Sequence, residues 1–142
     1  MTALAAARNT KELKGDVGGY PVKANTKCYQ GGIAVLSSGY AAPGTAATGL
    51  VAIGRFEEEA DNLNATTGGA AGAIKAKVRE GIFQFGNSAD ADLIAQANVG
   101  ADCYIVDDQT VALTNGSNAR SRAGIIVAVD AGGVWVKLGL GV

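Results

Sequence analysis

The chain contains no histidine. That absence removes the Ser-His-Asp and Cys-His nucleophile systems, the HExxH zinc sites and every histidine general base, and with them much of hydrolase chemistry. Cysteine is nearly as scarce. Cys28 and Cys103 lie far apart, neither sits in a CxxC pair, and two thiols cannot complete a four-cysteine zinc site. Small buried thiols in a reducing compartment are the plain expectation; a disulfide stays open, because sequence says nothing of their separation. No apolar run approaches the length of roughly 18 residues that a membrane span needs. The opening "MTALAAARNT" is too short and too weakly apolar for a signal peptide. The chain therefore reads as soluble, not exported by a classical route, and without a membrane partner. A clustered basic face is missing too. Lys and Arg number 12 against 13 Asp and Glu, a net charge of −1, so no nucleic-acid partner is expected.

What is abundant is glycine, 21 of 142 residues. That is roughly twice the usual share, without a collagen-like period, and it implies many tight turns between short strands. An apolar fraction of 48% belongs to a globular chain, and 142 residues suit one domain.

Residues 1–17, "MTALAAARNTKELKGDV", are alanine-rich and show no alternation. An isolated helix this short is marginal in water. The segment reads as an arm outside the folded body, ordered by a partner, with a frayed tail as the equal alternative. Residues 18–142 form the domain. "GYPVKA", "GGIAVLSSG" and "GLVAIGRFEEE" read as strands, the last bent at Gly54. "NLNATTGGAAGA" has the composition of a mobile loop. Next, Ile74, Ala76 and Val78 alternate with Lys75, Lys77 and Arg79, the period of a half-buried antiparallel strand, with Glu80-Gly81 as the break before "IFQF". "NSADADLIAQANVG" reads as the one short helix, with Ser88 as N-cap and Asn98 and Gly100 at its end. "CYIV", "TVALT", "GIIVAVD" and "VWVKL" complete the strands. The expected fold is all-β, a small β-barrel or sandwich with one short helix and an extended N-terminal arm.

Several stretches resemble chemistry and are better explained as structure. Asp107 and Asp108 fall between two β-rich runs, where aspartate turns a chain by accepting backbone N–H groups. Adjacent residues of a strand face opposite ways, so the pair cannot converge on one metal without a turn. Asp102 or Asp130 would join a magnesium site only by accident of the fold. Glu57-Glu58-Glu59 with Asp61 reads as a solvated strand end. "GGAAG" before Ala73 lacks the lysine of a phosphate loop. Ser37, Ser38, Ser88 and Ser121 have no base and no SxxK spacing. Asn64 and Asn115 match a glycosylation pattern that a non-exported chain does not use. Trp135 is expected in the core, and Tyr20, Tyr29, Tyr40 and Tyr104 are too scattered for a stacking surface. Arg120 and Arg122 would point one way on a strand and could meet acidic groups across an interface; an ordinary solvated loop is the other reading.

The segment "EGIFQFGNSADADLIAQANVGADCYIVDDQTVALTNGSNARSRAGIIVAVDAGGVWVKL", Glu80 to Leu138, resembles a family of small tailed-bacteriophage proteins, the capsid cement or head decoration proteins. "GLVAIGRFEEEADN" agrees more loosely, and the resemblance covers most of residues 18–138. It implies a β-barrel subunit on the outside of an expanded phage head, assembled as a homodimer or homotrimer and clamping the major capsid protein. It also implies a virion location, with synthesis in the host cytoplasm, and an arm reaching onto the capsid. The family has no catalytic motif to transfer, so the expectation is a structural protein without cofactor, metal or catalysis. Thr2, Leu4, Arg8 and Leu13 of the arm, with Arg120 and Arg122, are the candidate capsid or subunit contacts. A receptor- or glycan-binding module on a virion surface is the rival, and a carboxylate-dependent hydrolase using Asp107, Asp108 or Glu57–Asp61 comes third.

Overall fold

The short apolar runs become strands, and glycine or aspartate turns separate them. In the computed structural model, which describes every residue except Met1, Glu12 and Lys14, two five-stranded sheets and a two-stranded ribbon form. The first sheet runs in the order β1 (Val17–Pro21), β7 (Lys75–Arg79), β5 (Val51–Phe56), β3 (Ile33–Ser37), β4 (Tyr40–Pro43). The second runs β10 (Val111–Ala112), β9 (Asp102–Ile105), β11 (Arg122–Asp130), β12 (Gly133–Leu138), β8 (Gly81–Phe85). The ribbon pairs β2 (Thr26–Cys28) with β6 (Ala60–Asn62). Every ladder is antiparallel. Single parallel bridges, Val22 to Ala41 and Gly86 to Thr110, bring the two edges of each sheet towards one another. No continuous ladder closes either sheet among the described residues, so the expected all-β fold is a sandwich rather than a closed barrel.

Two cores result. One lies between the sheets, with Ile33, Val35 and Ala52 on one side and Phe85, Ile105, Ile126 and Val134 on the other. The second lies on the opposite face of the first sheet, where Ala34, Ile53, Phe56 and Val78 meet Cys28 and Ala60 of the ribbon. The first sheet is thus covered on both faces. This is why β3 reads as a continuous apolar run, Ile33-Ala34-Val35-Leu36, and not as an alternation. β7 keeps the predicted alternation, with Ala76 and Val78 buried and Lys75, Lys77 and Arg79 exposed. The cysteines are free and lie one in each core. Burial pushes the Cys28 thiol up to about 11 and the Cys103 thiol up to about 12. Both stay protonated and inert at neutral pH.

The bend expected at Gly54 is present. Its φ is +148°, the β3–β5 register slips opposite it, and a Cβ there would run into the main-chain carbonyl of Arg79. Only glycine fits so close an approach of two backbones.

Three expectations are corrected. The segment 87–100 is not a helix but two 3-10 turns, Asp90–Asp92 and Gln96–Asn98. Ser88 is no N-cap; its hydroxyl donates to the Val111 carbonyl at 2.8 Å. The α-helix, α1 (Asn64–Thr67), sits instead in the stretch read as a mobile loop. Asp61 holds it there, accepting from the Leu63 N–H at 3.0 Å and the Thr66 hydroxyl at 3.1 Å, and Gly68 ends it in the left-handed region. Trp135 is not in the core. It stands on the outer face of β12 between buried Val134 and Val136, and its indole N–H donates to Asp130 at 2.8 Å.

Candidate interaction surface

The arm meets the body at β1. Residues 2–11 and Leu13 are exposed, with Leu4 at 74% and Leu13 at 96% of full accessibility. Among the described residues these leucines are the two most exposed large apolar side chains. Thr2 and Arg8 lie on the same exposed stretch, where a local hydrogen bond joins the Thr10 N–H to the Arg8 carbonyl at 3.1 Å.

Beside the arm's root lies a groove of about 280 Å³. Tyr20, Ile53 and Val78 contribute its apolar wall, Asp16 and Glu80 its acidic rim, and Leu13 and Leu140 its lips. The local sequence explains each part. Gly18 lacks a side chain, which lets the Tyr20 ring lie against the β1 backbone. The β7–β8 break turns Glu80 to the rim, and the Glu80 N–H donates to the Asp16 carbonyl at 2.9 Å, tying the arm's root to the body. A smaller depression of about 170 Å³ shares Asp16 and Glu80 and continues past Gly81 to Lys137 and Val142.

Charge is divided between the same two features. Arg8, Lys11 and Lys14 against Glu12 give residues 1–15 a formal charge of +2, whereas residues 16–142 carry −3, nine basic against twelve acidic. A near-neutral total conceals a basic arm on an acidic body.

The two arginines are engaged within the chain. Arg120 lies in the loop before β11 and pairs with Asp92 at 3.1 Å, while its guanidinium also donates to the Thr114 carbonyl. Arg122 opens β11, pairs with Asp102 at 2.8 Å and donates to the main-chain oxygen of Val142. Between them Ser121 is buried; its hydroxyl donates to Ala47 O at 2.7 Å and accepts from Leu50 N–H at 3.0 Å, pinning the loop after β4. Arg122 thus anchors the tail that carries Leu140, and neither arginine lines the groove.

Asp107 and Asp108 do turn the chain. Asp107 accepts from the Gln109 N–H at 2.9 Å, Val106 N–H reaches Thr110 O, and the Asp108 carbonyl accepts from Ile33 N–H at 2.7 Å. The acidic run is partly paired. Glu57 bonds Arg55 and lies 3.6 Å from Arg79, and Glu59 lies 3.4 Å from Lys27. The Arg55 hydrogen bond, ahead of the charges of Arg55 and Arg79, holds the Glu57 carboxyl below its ordinary range. The Arg55 guanidinium also covers the Phe83 ring at 4.2 Å. Among the described residues no group of three or more His, Cys, Asp or Glu is placed to hold a metal.

In the sequence, Tyr20 is read as one of four scattered tyrosines and Glu80 as a strand break, neither placed at a groove, and Leu140 is not singled out. One signal was available for Glu80, the sole residue between two strands. Leu140, a lone large apolar residue among glycines, was another. Comparison with known protein families, with curated proteins and with solved structures gives no match.

Proposed function

We propose that the chain is a structural virion protein, a head decoration subunit. It binds the outer surface of an expanded phage head and stabilises the lattice of the major capsid protein, acting as a homo-oligomer without cofactor or catalysis. The observation that carries this reading is the exposed arm, apolar at Leu4 and Leu13 and basic at Arg8, on a body whose cores are complete without it. The resemblance through Glu80–Leu138 supports it. An arm ordered on docking, repeated over a symmetric oligomer, turns modest contacts into firm attachment through avidity. The ion pairs of Arg120 and Arg122 tie the loop before β11 and the C-terminal tail to the body.

The test is co-sedimentation of the protein with expanded, undecorated heads, with unexpanded proheads as the control. Saturable binding to expanded heads alone is expected, and the copies bound per head report the symmetry axis occupied. Removing residues 1–14 leaves β1 and the Asp16–Glu80 hydrogen bond intact, so the truncated chain stays folded by circular dichroism and binds heads more weakly. Binding to neither shell would overturn the reading in favour of a virion-surface glycan-binding module. Its supporting observation is Trp135, exposed on a sheet face rather than buried.

A further inference from the structure

We propose that the groove at the root of the arm receives the arm of a second copy of this chain, so that the oligomer is held by exchanged arms. The described residues of the chain's own arm leave the groove unfilled, since Leu13 stands at its lip almost fully exposed and Leu4 lies bare further out. Donor and acceptor match in kind. The arm offers leucine and net positive charge; the groove offers Ile53 and Val78 with the carboxylate of Glu80 at its rim. Both halves belong to one sequence, and a self-complementary pair closes into a symmetric assembly in which each subunit gives and receives one arm. The reach is sufficient. Residues 2–14 extended span about 43 Å at roughly 3.3 Å each, against a radius of gyration of about 14 Å for a domain this size. Leu4 then enters the apolar wall while Arg8 and Lys11 lie along the rim. The contact resembles strand or segment exchange, in which an element finds on a neighbour the surface it would otherwise leave open.

This deepens the self-association within the proposed function and does not rest on the capsid as partner. Full-length chains carrying Leu4→Cys are mixed with full-length chains carrying Leu140→Cys and oxidised, without heads, and separated on a non-reducing gel. Both positions are exposed, so neither change disturbs a core; the buried native thiols do not compete. The mixture is expected to cross-link to a two-chain species about tenfold faster than either variant alone, because docking raises the effective concentration of the thiols. Glu80→Arg in the Leu140→Cys chain should suppress the cross-link, and Arg8→Glu in the Leu4→Cys chain should restore it. Sedimentation velocity should show an oligomer for the full chain and a monomer after removal of residues 1–14. A cross-link formed only within one chain, in the doubly substituted protein, would overturn the proposal and put the arm in its own groove. So would an oligomer that persists after arm removal. Head binding is a separate readout: arm exchange with no head binding keeps this inference and removes the capsid, and the reverse result does the opposite.

Discussion

Asn62 shows how much of the fold rests on one side chain. It is wholly buried, its amide nitrogen donates to Lys23 O at 3.0 Å and Ala70 O at 2.9 Å, and its amide oxygen accepts from the Thr67 hydroxyl. It therefore ties the ribbon to both the segment after β1 and the loop after α1. Asn62→Ala should cost about 2–4 kcal/mol, since buried carbonyls lose their donor. Asn62→Asp should cost more at neutral pH, because a carboxylate would face those carbonyls with no proton to give. Urea midpoints of the two variants decide it; a loss in Asn62→Ala with little loss in the nearly isosteric Asn62→Asp would show that the site is governed by volume and not by hydrogen bonding. In the sequence this residue opens a polar, glycine-rich stretch and carries no mark of burial. Trp135 went the other way. The alternation with Val134 and Val136 was legible, but which face was inside was not. Lys137, two positions on and therefore on the same side, held the clue.

At the scale of elements, the segment 87–100 explains why a helical reading failed. Its polar residues spend their hydrogen bonds locally. Asn87 bonds both the N–H and the carbonyl of Ile94, and the Asn98 side chain accepts from Ala95 N–H. Side chains that compete with the backbone in this way favour turns over helix. Ile94 alone is buried there, too little for an apolar stripe. What fixes the segment is Asp92, bonded to Thr114 and paired with Arg120, partners 22 and 28 residues away that no local pattern reveals. The Thr114 hydroxyl first, then Arg120, holds the Asp92 carboxyl below its ordinary value of 3.8. A folded-state pKa below the unfolded one means that the unfolded chain takes up the proton more readily. The stabilisation is thus present above the ordinary carboxylate range and disappears as pH falls through the folded value. The urea midpoint of the parent should exceed that of Asp92→Asn by a constant margin between about pH 7 and pH 5, and the margin should close below about pH 4. Glu57 and Asp130 are depressed likewise, but they are common to both proteins and cancel in the comparison. A margin unchanged to strongly acid pH would show that Asp92 acts by shape and not by charge.

Across the whole molecule, the all-β class was legible because short runs, turn residues and the β7 alternation agree. Sandwich against barrel was not, since both architectures share the same inside–outside period and differ only in how the last edges meet. Two cores in 142 residues raise the question of whether they melt together. The first sheet supplies the answer, because neighbouring residues of β3 point into different cores: Ile33 and Val35 into the one between the sheets, Ala34 into the one beneath the ribbon. Loss of either core exposes an apolar face of the same strand, so unfolding should be a single transition. The lone tryptophan makes the test clean. Trp135 stands on the second sheet and is not part of the ribbon core, whereas far-ultraviolet circular dichroism sees every strand. Phe56→Ala removes a wholly buried ring from the ribbon core and should cost about 3–5 kcal/mol. In a coupled molecule it lowers the urea midpoint of Trp135 fluorescence and of circular dichroism by the same amount, although the ring and the indole belong to different sheets. A fluorescence midpoint that stays at the parental value while the dichroism transition splits would mean two independently stable halves, and the shared strand β3 would then be a link without being a coupling.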